Sequence, residues 1–176
     1  MKVQSRMSEV RRPFDFQSSP SGSGEPATKE AAPTAQAPPD WKFVLKFQRG
    51  ETIYDPSDEQ IARGIRSLRV VEGDSYCILS RRDGDYVQTI CGANGFHVEW
   101  QAFHGGDWNK YDHFKAGYPE ARDRRERCQK AVYGVPGFEN ELLHRNDATT
   151  IFLAFIHSGK GREQFVWRRM SDDELH

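Results

Sequence analysis

The chain has 176 residues, about the length of one domain, and its 25 basic and 26 acidic residues nearly cancel. Such a balance gives no global field to draw the protein to nucleic acid or to an anionic membrane surface, so either partner would need a local patch. No apolar run approaches the roughly 18 residues of a membrane span, MKVQSRMSEVRR lacks the apolar segment of a signal peptide, and Cys77, Cys91 and Cys128 form no CxxC pair, so the expected setting is a reducing cytoplasm without a disulfide framework.

Residues 1 to 40 hold six of the nine prolines and no Trp, Tyr or Cys. A composition of this kind buries too little apolar surface to offset its ordering entropy, so a disordered tail is expected, followed by a single domain over residues 41 to 176. From Trp41, WKFVLKF alternates Trp41, Phe43, Leu45 and Phe47 against Lys42, Val44 and Lys46, the period of a strand with one buried face. Arg49 and Gly50 close that strand with a turn. Asp55 followed by Pro56 reads as a helix start, and Ile61, Ile65 and Leu68 continue it at helical spacing.

Three strand candidates follow, SYCILS at 75 to 80, DYVQTIC at 85 to 91 and GFHVEWQAF at 95 to 103, linked by RRDG and GANG. Short glycine-bearing links predict an antiparallel meander. In the last of these strands Phe96, Val98, Trp100 and Ala102 point to one side, while His97, Glu99, Gln101 and Phe103 point to the other, as in a sheet with one solvated face. Residues 104 to 120 read as a loop with several aromatics, and ARDRRERCQKAVYG as a charged helix ended by Gly134. The run from Ile151 to Ile156 is apolar throughout and fits a buried strand or a buried helix; Asp147 before it and Gly159 after it favour helix. GREQFVWRRM reads as a final strand.

Several groups could carry chemistry. His97, His104 and His113 with Asp107 and Asp112 form the one cluster resembling a metal or acid/base site, but their spacing matches no tight ligand pair, so no metal or cofactor is expected. Glu99 beside His97 is the basis of an enzyme alternative, although residues two apart are neighbours on any sheet face. No GxSxG elbow or Walker-type loop is present. A nucleic-acid alternative rests on Arg122, Arg124, Arg125, Arg127 and Lys130 on the charged helix and on Lys160, Arg162, Arg168 and Arg169 near the C-terminus, with Trp108, Tyr111 and Phe114 able to stack on bases. Glu120, Asp123 and Glu126 lie at pairing distance from those arginines along the helix, which favours a solvated, salt-bridged face instead.

The order DPSDEQIARGIRSL, YCIL, DYVQTICGANGFHVEWQ, HF and IFLAFIHSGKGREQFVWRRM resembles a group of small bacterial proteins with an acidic helix start, a YIQT strand, an F-x-L-E-Y strand and an AF-x-x-Y-x-x-G … W ending. That group is similar to the small α+β immunity proteins found with bacterial polymorphic toxins, which neutralise a toxin by covering it. The resemblance spans about residues 41 to 170; the tail before Trp41 and an insertion around residues 115 to 146 depart from it, so no interaction surface carries over residue by residue.

The expected fold is α+β, a mostly antiparallel sheet of about five strands with two or three helices and one face of the sheet solvated. The expected function is noncatalytic protein binding, with a toxin as the partner that the resemblance implies. His97, Glu99, Gln101, Trp108 and Tyr111 are the expected partner-binding residues.

Overall fold

A computed structural model describes residues 37–70, 74–104, 107–119, 137–158 and 163–171, and every element below falls in the compact unit Ala35–Met170. In chain order these are β1 (Phe43–Phe47), β2 (Thr52–Tyr54), α1 (Asp58–Ser67), β3 (Tyr76–Arg81), β4 (Tyr86–Gly92), β5 (Gly95–His104), β6 (Asp107–Gly117), a 3-10 turn at Glu139–Glu141, α2 (Arg145–Ser158) and β7 (Val166–Arg169). The strands form one antiparallel sheet in the order β2-β1-β3-β4-β5-β6-β7. The class is α+β, with seven strands rather than about five. Residues 1 to 36 of the expected tail over 1 to 40, the arginine-rich helix over 121 to 134, and Lys160 and Arg162 lie outside the described residues. Among the described residues no helix is long and apolar enough to cross a membrane.

Local sequence explains most of this frame. β1 and β2 form a hairpin about Gly50, whose φ of 104° suits the turn. The N-cap of α1 is Ser57, not Asp55: its hydroxyl accepts the Gln60 amide at 3.2 Å while the Gln60 side chain accepts the Ser57 amide at 2.8 Å, a reciprocal capping box. Asp55 instead holds the start of β1, its Oδ1 accepting the Lys42 and Phe43 amides at 2.8 and 2.9 Å. β3, β4 and β5 form the expected meander. The apolar run at 151 to 156 is helical, within α2, which begins at Arg145, so Asp147 lies in its first turn and accepts the Tyr118 hydroxyl at 2.5 Å.

Residues 104 to 120, expected as a loop, contain β6, which pairs with β5 from Glu99↔Lys115 to His104↔Asp107. That expectation followed the mixed polar and aromatic composition of the segment. Alternation survives in it, with His113 and Lys115 on one side and Phe114 and Ala116 on the other, but the inward row is polar and so carries no hydrophobic signature.

The core lies between the helices and one face of the sheet. Ile61, Ile65 and Leu68 on and just after α1 meet Ala148, Ile151, Phe152 and Phe155 of α2, over Leu45, Leu79, Val87, Phe96 and Val98 of the sheet. Trp100 joins this layer, stacked on Phe114 at 5.5 Å between ring centres and edge-on to Trp167 at 5.9 Å. It stays half-buried, short of the buried position expected from Phe96 and Val98.

Candidate functional site

On the other face of the sheet β5 presents His97, Glu99 and Gln101 side by side, as the alternation of its sequence requires. They do not form a wet face. His97 is 1% exposed, Glu99 7% and Gln101 6%, which corrects the expectation that this row is solvated and open to a partner. The cause lies in the neighbouring strand and turn: β6 places His113 opposite Gln101 and Lys115 opposite Glu99, and the 3-10 turn adds Glu141. A polar row with complementary charges beside it can be buried, whereas an isolated charge cannot.

The register sets Gln88, Glu99, Lys115 and Arg168 opposite one another across β4, β5, β6 and β7. Gln88 Nε2 donates to Glu99 Oε2 at 2.7 Å, His113 Nε2 lies 3.2 Å from the same oxygen, and Lys115 Nζ lies 3.3 Å from Oε1. Lys115 is fully buried. Beside this row the Tyr86 hydroxyl donates to Gln101 Oε1 at 2.6 Å. Glu141, also buried, accepts Arg168 Nε at 2.6 Å and the Phe138 amide at 2.8 Å, and the guanidinium of Arg168 sits 4.7 Å from the Phe138 ring centre.

The electrostatics follow from these contacts. Burial alone would raise the Glu99 carboxyl, but the His113 hydrogen bond and the Lys115 and His113 charges, helped by Gln88, outweigh it and bring its pKa down to about 2. Burial, followed by the Lys115 charge, lowers His97 to about 4, against the pull of Glu99 and Glu141, so its imidazole is neutral near pH 7. Neither ring nitrogen of His97 meets a hydrogen-bond partner in good geometry, the nearby Glu141 backbone offering only a weak contact. Gly137 packs over the ring, where a Cβ would lie 2.6 Å from His97 Cε1, so a larger residue there would displace the imidazole. Burial, then Glu99, raises the Tyr86 phenol well above its ordinary value.

The remaining expected residues lie elsewhere. Tyr111, on β6, is 39% exposed and meets Phe103 edge-on at 5.9 Å between ring centres. Next to it Asp112 accepts His104 Nε2 at 2.8 Å and Arg169 at 2.6 Å, with the Arg169 side chain 70% exposed. Trp108 belongs to β6, but its side chain lies outside the described part of the structure. His97, His104 and His113 do not converge, since His104 pairs with Asp112 and His113 with Glu99; among the described residues no three His, Cys, Asp or Glu side chains are placed to hold a metal ion.

Lys115, Glu141, Tyr86 and Gln88 escape the sequence reading, and Arg168, read there as part of a basic patch, is instead bound to Glu141. The alternation in DYVQT and HFKAG carries the signal for three of them, Tyr86, Gln88 and Lys115. Glu141 and Arg168 are brought in by pairings distant in sequence. No family model, curated protein or solved structure matches the chain.

Proposed function

We propose that this chain is a noncatalytic protein-binding module, of the kind that neutralises a bacterial toxin by covering it. The observation that carries the noncatalytic part is the state of Glu99. Both of its oxygens are held by Gln88, His113 and Lys115 inside the protein, and its pKa is driven far below the range in which a carboxyl exchanges protons near neutrality. A carboxylate locked in this way braces the sheet and is poorly poised to transfer a proton. The toxin as partner rests on the sequence resemblance.

The contact surface suggested by the geometry is the outer end of the β5–β6 pair, where Tyr111 offers an exposed ring on one side of β6 and Arg169, held by Asp112, an exposed guanidinium on the other. Tyrosine and arginine are the side chains most often found carrying binding energy at protein interfaces. Co-expression with a toxin gene found beside this one tests the reading, and the lack of any such gene would count against it: the wild-type chain restores growth, and a Tyr111→Ala/Arg169→Glu variant with an unchanged thermal midpoint does not. Absence of rescue by the wild-type chain defeats the proposal, and full rescue by the folded variant removes this surface from it.

A further inference from the structure

At the far side of the sheet from Tyr111, the start of β1, the β3–β4 turn and the end of α2 enclose an open hollow of about 730 Å³. Its floor is apolar. Phe43 meets Phe155 edge-on at 6.2 Å between ring centres, and the half-buried Trp41 and Ile156 extend that surface. Its rim is charged: Lys42 and Arg82 are exposed and form no ion pair among the described residues. The other lining charges are largely occupied, with Asp83 held by Arg81, and His157 paired with Asp58 at 3.0 Å. Asp40 also lines the hollow, so the aspartate, lysine and arginine side chains of the described lining carry one positive charge in excess.

We propose that this hollow binds a small amphipathic monoanion, a carboxylate attached to an aromatic or aliphatic body. The volume falls in the range of small-molecule sites, in which an apolar lining supplies most of the contact and a few polar groups set orientation. The apolar floor takes the body, and Lys42 and Arg82 donate charge-assisted hydrogen bonds to the carboxylate. A single excess positive charge matches a monoanion better than a doubly charged phosphate. The site shares no residue with the Tyr111 surface, so its success or failure is independent of the protein-binding role.

The test is a titration of the full chain, uniformly labelled with nitrogen-15, with 3-phenylpropanoate and separately with its neutral amide, followed by amide correlation spectra. The expected result is saturable shifts confined to residues around Lys42, Arg82 and Ile156, with the acid binding about tenfold more tightly than the amide, the scale of a hydrogen bond to a charged group. A Lys42→Glu/Arg82→Glu variant loses the preference for the acid, and Lys42→Arg/Arg82→Lys keeps it. Equal binding of acid and amide, shifts scattered over the surface, no saturation, or an unchanged preference in the charge-reversed variant would each overturn the proposal. Both side chains are exposed and their backbone bonds are unaffected by these changes, so the variants keep the fold.

Discussion

His97 shows how much one buried side chain can impose on the conditions under which the protein stays folded. Its folded-state pKa of about 4 lies below the ordinary value of 6.5, so between those values the unfolded chain binds a proton that the folded chain refuses. Stability from this group is therefore complete above pH 6.5 and is lost as pH falls towards 4, by about 3 kcal/mol across that window. Glu99 adds a second, lower window. Its carboxyl is depressed from 4.5 to about 2, so its contribution is present above 4.5 and disappears as pH falls to 2. Urea unfolding measured from pH 7 to 4 is expected to show a falling free energy, and His97→Gln to flatten the slope above pH 4.5 while leaving the steeper loss below it. An unchanged slope in that variant would mean that His97 does not set the acid limit.

At the scale of elements, what could be read in advance was what depends on neighbours in the chain. β1, the meander and the helical spacing of Ile61, Ile65 and Leu68 all follow from local apolar periodicity. β6 did not, because its inward side chains His113 and Lys115 are buried by virtue of Glu99 on a different strand, and a charge whose partner is remote looks solvent-facing in a one-dimensional pattern. The same reason reversed the candidate site: polarity marked His97, Glu99 and Gln101 as a surface, whereas the network makes them an interior. The start of α1 was misplaced by two residues because Asp55 and Ser57 are both capping types and only their contacts separate them. Their substitutions should separate too. Ser57→Ala is expected to cost about 1 kcal/mol through the loss of the cap, and helical content measured by circular dichroism should fray at α1. Asp55→Ala is expected to leave α1 intact and to loosen the amides of Lys42 and Phe43, visible as faster hydrogen exchange there.

For the whole molecule, the helical layer over one face and the charge network on the other divide the work of holding the sheet. Phe152 sits fully buried in the α2 layer among the core residues of α1 and the sheet. Phe152→Ala is expected to lower the unfolding free energy by about 3 to 5 kcal/mol, the cost of a large aromatic cavity, without altering the pH window set by His97. Denaturant titrations at pH 7 and pH 5 check this, since equal losses at both values show that the two faces act independently. The order of the strands also bears on how the chain reaches this state. β4, β5 and β6 each lie beside the strand that precedes them in sequence, with connections of no more than four residues. Closing such short loops is fast and costs little entropy, so the middle of the sheet can assemble by zipping one hairpin onto the next, and α2 and β7 arrive as late additions to a surface already laid down.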